Sequence, residues 1–90
     1  MKDLKSCREI INQIDPKMQA LFIERMHTVK DVALYKQAND MPIFDEAREA
    51  DMLERLSKDV DEELRAYYLE FLKAMLKISK EYQKDILGRD

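Results

Sequence analysis

Residues that form tight turns, disulfides and metal sites are rare in this sequence. One glycine and two prolines are too few for a β-sandwich or barrel, which needs turn residues roughly every 8–12 positions. Cys7 and His27 are the single residues of their kinds, which excludes an intrachain disulfide, a cysteine zinc cluster and a multi-histidine metal site. No segment approaches the roughly 18–20 apolar residues of a membrane span, and residues 1–10 lack the apolar core of a signal peptide. We therefore expect a soluble cytoplasmic protein that does not bind a membrane.

Charge and length limit the classes of function further. The 16 basic and 19 acidic residues give a net charge of −3, which argues against a generally basic nucleic-acid-binding protein. A hydrophobic content of 46% with 39% charged residues is typical of amphipathic helices. The 90 residues suffice for one domain, residues 1–90.

Apolar residues recur three and four positions apart in three segments, which predicts three helices and an all-α fold. The first spans about residues 3–38 and ends before Pro42, because the residue before a proline disfavours the helical conformation. The second begins at its N-cap Asp45 and runs to about Ser57. The third spans about residues 61–86, and Gly88 suits its C-terminal end.

Pro16 lies inside the first predicted helix. The apolar stripe keeps its phase across the proline, from Ile14 to Met18, which favours one long helix with a kink near residues 12–16. An interior proline removes one backbone hydrogen bond, at a cost of about 3 kcal/mol. The alternative is that Asp15 caps a new helix that has Pro16 at its first position.

The length of the first helix indicates an oligomer. At about 1.5 Å per residue the helix is roughly 54 Å long, whereas a compact chain of this size has a diameter of about 30 Å. The helix must therefore protrude, and its apolar stripe needs a partner. The stripe consists of Leu4, Cys7, Ile11, Ile14, Met18, Leu21, Phe22, Val29 and Val32. We expect an intertwined homodimer, in which each long helix packs against the other chain.

Two cations interrupt this stripe. Arg25 and Lys36 differ by only about 20° around the helix axis, so both face the interior side. Buried cations without partners are unfavourable, so an anionic group is expected to meet them, unless both side chains snorkel at the edge of the stripe. Arg8 lies about 25 Å from Arg25 along the axis. One chain cannot easily bring both arginines to a small ligand, but a second, antiparallel chain could. Taken alone, Arg8 fits an ordinary surface arginine.

The other two helices carry polar groups that can join these cations. Asp45, Arg48 and Glu49 share one face at the start of the second helix, where acidic residues also serve as ordinary N-terminal caps. Ser79 and Gln83 lie one turn apart on the third helix, a spacing that also suits interhelical hydrogen bonds. Cations, carboxylates and an amide inside a helical bundle can bind a small dianion. They can catalyse only a reaction that needs positioning and electrostatics.

Three stretches of the sequence carry a family resemblance. They are residues 8–15 followed by residues 21–25, Lys36 followed by residues 42–49, and residues 78–83. Each stretch is short, but their order and spacing together are specific and cover nearly the whole chain. In these stretches the chain resembles the all-helical bacterial chorismate mutases, small intertwined homodimers that convert chorismate to prephenate. Pro16 departs from the unbroken first helix of that family.

The resemblance implies a Claisen rearrangement with four catalytic residues. Lys36 and Gln83 would donate hydrogen bonds to the ether oxygen, where negative charge builds as the C–O bond breaks. Arg25 would bind a substrate carboxylate, and Glu49 would accept a hydrogen bond from the substrate hydroxyl. The reaction is intramolecular and pericyclic, so the resemblance implies neither a cofactor nor a metal.

The resemblance also implies that four further residues bind the substrate chorismate. Arg8 would reach across the homodimer interface into the partner's site and bind a carboxylate. Ser79 would assist at a carboxylate, and Asp45 would lie near Glu49. Arg48 would contact the substrate or hold the carboxylates in place.

Other functions fit parts of the same pattern. Isochorismate-pyruvate lyases resemble this family and keep the arginines, the lysine and the glutamine, but not acidic residues that match Asp45 and Glu49. A non-catalytic helical dimerisation module would leave Arg25 and Lys36 idle in an apolar stripe, where they only cost stability. A coiled-coil adaptor would need uninterrupted heptads, which the same two cations break. The sequence therefore favours the mutase.

Overall fold

The computed structural model describes residues 1–89. Over these residues the chain forms three helices and no strand: α1 spans Leu4–Ala38, α2 spans Glu46–Ser57 and α3 spans Glu62–Leu87. The predicted all-α class and the three predicted helices are confirmed, with every helix end within about one residue of its predicted place.

Short-range signals define the ends of these helices. The side chain of Asp3 caps α1 by accepting a hydrogen bond from the backbone N–H of Ser6 at 2.8 Å. Asp45 caps α2 in the same way, from the N–H of Arg48 at 3.1 Å. Gly88 ends α3 with a φ of 63°, a left-handed conformation that glycine adopts without steric cost.

α1 continues through Pro16 as a single helix. The alternative of a new helix starting at Pro16 is therefore wrong, whereas the kink near residues 12–16 stays a prediction. Residues 8–24 are all exposed on the single chain. Water can therefore bond the backbone carbonyl that has lost its N–H partner to the proline ring.

The core lies in one half of the molecule, because α3 packs against both the C-terminal part of α1 and the short α2. Its buried apolar residues are Val29, Ala33, Met52, Leu72 and Leu76. Three polar residues, Ser57, Ser79 and Gln83, are buried with them. A core that buries polar side chains between helices is a place where a polar site can form.

The molecule is elongated, with extents of 55 × 26 × 18 Å. The predicted protrusion of the long helix is confirmed, since 55 Å matches the length expected for α1. Much of the predicted apolar stripe is exposed on the single chain, including Ile11, Ile14, Met18, Leu21 and Phe22. In the described part of the chain, none of the helices combines the length and apolar character needed to span a membrane.

Arg65 closes the short turn between α2 and α3. Its Nε donates to the backbone carbonyl of Ser57 at 3.2 Å, and its Nη2 donates to that of Val60 at 2.8 Å. A cation at the C-terminal end of α2 satisfies carbonyls that have no helical partner. The turn fixes the position of α3, which places Ser79 and Gln83 in the interior.

Candidate active site

Lys36 reaches the interior from the last turn of α1. Asp40 then adopts a left-handed conformation with a φ of 55°, and the N–H of Met41 donates to the carbonyl of Lys36 at 2.8 Å. The loop folds back, so that the backbone carbonyl of Ile43 accepts a hydrogen bond from Lys36 Nζ at 2.7 Å. Because an ammonium has three N–H donors, two of them remain for a ligand.

Arg25 is oriented by α3. Its Nη1 donates to Ser79 Oγ at 2.5 Å, and this hydroxyl donates to the backbone carbonyl of Met75 at 2.9 Å. Burial lowers the pKa of Arg25, and the charge of Arg48 lowers it further, but a guanidinium stays protonated in a protein. Since its own proton is used within α3, Ser79 holds Arg25 and has no proton left to donate to a ligand.

The first turns of α2 bring three charged side chains to the same place as Lys36. Asp45 caps the helix, and within residues 1–89 Arg48 Nη1 has only the thioether sulfur of Met52 at 3.3 Å as acceptor. A thioether is a weak acceptor, so this guanidinium can exchange it for a carboxylate. Glu49 Oε1 accepts a hydrogen bond from Lys80 Nζ at 2.9 Å.

Gln83 is buried on α3, with 6% of its surface exposed. Its Oε1 atom is buried and has no hydrogen-bond partner within the described chain. An unpaired buried polar atom is unfavourable, and it marks a place where a ligand group is expected.

These side chains line one open cavity of about 100 Å³ between the three helices. The predicted site residues in its wall are Arg25, Lys36, Asp45, Arg48, Glu49, Ser79 and Gln83. Apolar side chains form the rest of the wall, including Val29, Val32, Met52 and Leu76. The three helices therefore bring together every predicted site residue except Arg8.

Cations outnumber carboxylates in this cavity. Its wall contains four cationic side chains, Arg25, Lys36, Arg48 and Lys80, and two carboxylates, Asp45 and Glu49. The excess of two positive charges is complementary to a small dianion.

Lys36 has a perturbed pKa. Burial lowers its pKa from the ordinary 10.5, because loss of water disfavours the charged ammonium. Asp45 and Glu49 partly raise the pKa again, while the charges of Arg48 and Arg89 lower it. The net change is downward, so this ammonium releases its proton at a lower pH than a lysine in water does.

Arg8 lies outside the cavity, exposed on the N-terminal part of α1. This position agrees with the separation of about 25 Å between Arg8 and Arg25 along one helix. Its contact with a partner's site stays a prediction.

Lys80 and the carbonyl of Ile43 belong to the site but were not predicted from the sequence. Lys80 precedes Gln83 by three positions on α3, and residues at this spacing share a helix face. This spacing could have placed Lys80 in the site together with Gln83. The carbonyl of Ile43 has no such signal, because its position depends on how the loop after α1 folds.

Residues 7–84 match the model of the family described as chorismate mutase type II. The match extends from the first turn of α1 almost to the end of α3, and it includes Arg8 as well as the residues that line the cavity. Comparisons with curated proteins and with solved structures give no significant match. Because the matched segment covers most of the sequence, the chain belongs to the chorismate mutase type II family.

Proposed function

We propose that this protein is a homodimeric, cytoplasmic chorismate mutase, which converts chorismate to prephenate in aromatic amino-acid biosynthesis without a cofactor or metal. The observation that carries the proposal is the single cavity that holds Lys36, Gln83, Arg25 and Glu49 together. Chorismate carries two carboxylates, which suit the excess of two positive charges in the cavity wall. Membership of the family supports the same conclusion.

The reaction breaks the C–O bond of an ether and forms a C–C bond within one molecule. The first task of the protein is therefore to hold the chair-like conformer in which the two ends approach each other. Arg25 binds one carboxylate, in an orientation set by Ser79. Arg48 is positioned to exchange its thioether partner for a substrate carboxylate, and Arg8 from the partner chain binds the other end of the substrate.

The second task is to stabilise the negative charge that develops on the ether oxygen. Lys36 keeps two N–H donors beyond its bond to Ile43, and the amide of Gln83 can rotate its NH₂ group towards the same oxygen. Donors fixed in advance act most strongly where charge appears in the transition state. Glu49 accepts a hydrogen bond from the substrate hydroxyl, and Asp45 lies beside it in the cavity wall.

An apolar groove between α1 and α3 supports the homodimer. Met18, Leu21, Phe22, Phe71, Ala74, Met75 and Ile78 line this groove together with Gln19 and Arg25. Leu21 and Phe71 have 65% and 50% of their surface exposed on the single chain. Covering such a groove is favourable at about 25 cal/mol per Å² of apolar surface. Arg25 lines both the groove and the cavity, so a partner helix in the groove lies directly beside the site.

The decisive experiment follows the loss of chorismate by its ultraviolet absorbance, with the wild type and with Lys36→Ala. We expect the wild type to form prephenate and the variant to lose about 10²–10³ in kcat, the usual cost of removing a preorganised donor. Lys77→Ala is the matched control, because Lys77 is exposed on α3 and lies outside the cavity.

Two results would contradict the proposal. A folded, dimeric wild type that does not consume chorismate is not a mutase, and release of pyruvate from isochorismate would then identify a lyase. Full activity in Lys36→Ala would show that the cavity described here is not where the reaction occurs. If neither substrate is consumed, the protein is a binding module.

A further inference from the structure

Lys80 makes two contacts that no step of the proposed reaction requires of it. Its Nζ lies 2.9 Å from Glu49 Oε1 and 4.5 Å from the centroid of the Phe44 ring. The side chains of Lys80 and Glu49 are only 28% and 19% exposed, so water screens this ion pair less than it screens a pair on the surface. The other ion pair in the described part of the chain, between Arg55 and Asp51, is highly exposed and lies away from the cavity.

The surroundings of Glu49 explain why a cation is needed there. Asp45 lies one helical turn before Glu49, and both carboxylates face the same cavity. Like charges at this spacing repel each other, and they also compete for Lys36 and Arg48. Lys80 approaches from α3, on the other side, and holds one oxygen of Glu49. The second oxygen is left to accept a hydrogen bond from a ligand.

Phe44 limits the freedom of Lys80. A lysine side chain has four flexible carbons, and an ammonium in water is not confined to one place. The face of the Phe44 ring attracts the ammonium by a cation–π interaction. Phe44 belongs to the loop that also presents the Ile43 carbonyl to Lys36, so one loop restrains both ammonium groups of the cavity wall.

We propose that Lys80, held on the ring of Phe44, is a positioning residue that fixes the carboxylate of Glu49 for the substrate hydroxyl. This inference rests on the proposed function, in which Glu49 accepts that hydrogen bond. Lys80 acts through Glu49, so its effect on the reaction depends on an intact carboxylate at that position.

A double-mutant cycle tests this dependence in the full-length dimer. We expect Lys80→Met to lower kcat/KM by about tenfold, with most of the loss in kcat, because a misplaced group costs rate in the bound complex. In the Glu49→Gln background the same substitution should change kcat/KM by less than about threefold. Lys80→Arg should recover part of the activity, and Lys77→Met, on the exposed face of α3, should match the wild type.

A second measurement needs no activity. Protons above an aromatic ring resonate upfield, so the ε-CH₂ protons of Lys80 should shift upfield in NMR spectra of the wild type. The shift should disappear in Phe44→Leu and decrease in Glu49→Gln. This result keeps the test of Lys80 separate from the test of the mutase, since it holds even if chorismate is not the substrate.

Two outcomes would overturn the inference. Equal losses from Lys80→Met in the presence and absence of the Glu49 carboxylate, carried by KM, would mean that Lys80 only adds positive charge for the dianion. Normal chemical shifts of the Lys80 ε-CH₂ protons would mean that Phe44 does not hold the side chain.

Discussion

Lys36 carries its charge in a partly buried place, and this determines how activity depends on pH. In the proposed reaction the protonated ammonium donates to the ether oxygen, so we expect activity below its pKa and a loss of activity as the pH rises through it. In the protein without a ligand, burial lowers the pKa of Lys36 below the ordinary lysine value of 10.5. We expect the alkaline fall of kcat/KM to occur below pH 10.5. The fall of kcat should come at a higher pH, because the bound dianion favours the charged ammonium.

Lys36→Arg is the control for this pH profile. A guanidinium does not lose its proton in this range, so the residual activity of the variant should show no alkaline fall. Steady-state kinetics over a pH series measures both profiles. A fall that persists in the variant would assign the titration to another group.

Arg25 and Lys36 could be identified from the sequence because they break a pattern. Burying a charge in an apolar stripe is unfavourable unless the charge has a partner, and the sequence alone shows where a charge interrupts the stripe. The contact between Lys80 and Glu49 could not be found in this way, because it joins residues of different helices. Its geometry depends on the packing of α2 against α3, which no local signal specifies.

At the scale of the helix, Asp45 has two separable functions. Its side chain caps α2 through the N–H of Arg48, and its charge raises the pKa of Lys36. Asp45→Ala should lose both and reduce stability by about 1 kcal/mol in urea unfolding. Asp45→Asn keeps an oxygen for the cap, so its stability should stay close to that of the wild type.

Both variants should move the alkaline fall of kcat/KM to a lower pH, because each removes a negative charge that raises the pKa of Lys36. Unfolding is compared at one protein concentration, since the stability of a dimer depends on concentration. Equal stability of Asp45→Ala and the wild type would show that the cap contributes nothing.

The ends of the helices could be predicted because their signals are local. An aspartate at the start of α2 and a glycine after α3 act within one helical turn. For Pro16 the evidence was less local, since it was the phase of the apolar stripe before and after the proline. This phase predicted one helix, and α1 is continuous there. The kink near residues 12–16 stays a prediction, because the phase of the stripe shows that the helix continues but not how far it bends.

At the scale of the whole molecule, the length of the first helix predicted the elongated shape. A helix of about 54 Å cannot fit inside a compact chain of this size, and the extent of 55 Å confirms that it protrudes. The exposed apolar groove beside Arg25 shows which surface lacks cover on the single chain. The intertwined homodimer stays a prediction, because hydrophobic patterns identify a surface but do not fix how a partner lies on it.

The proposed sharing of the site between two chains can be tested by mixing two inactive variants. Arg8→Ala removes the residue that is given to the partner, and Lys36→Ala removes a residue of the chain's own cavity. Each homodimer has two defective sites. In a mixed dimer, the cavity of the Arg8→Ala chain keeps Lys36 and receives an intact Arg8 from the other chain, while the second site loses both.

Random mixing of equal amounts makes half of the dimers mixed, and each mixed dimer has one working site. We therefore expect co-refolded variants to recover about a quarter of the wild-type activity. Unmixed samples refolded in the same way should stay near their starting values. Recovery requires a site built from two chains, so its absence from a sample that native mass spectrometry shows to contain mixed dimers would mean that Arg8 acts within its own chain or not at all.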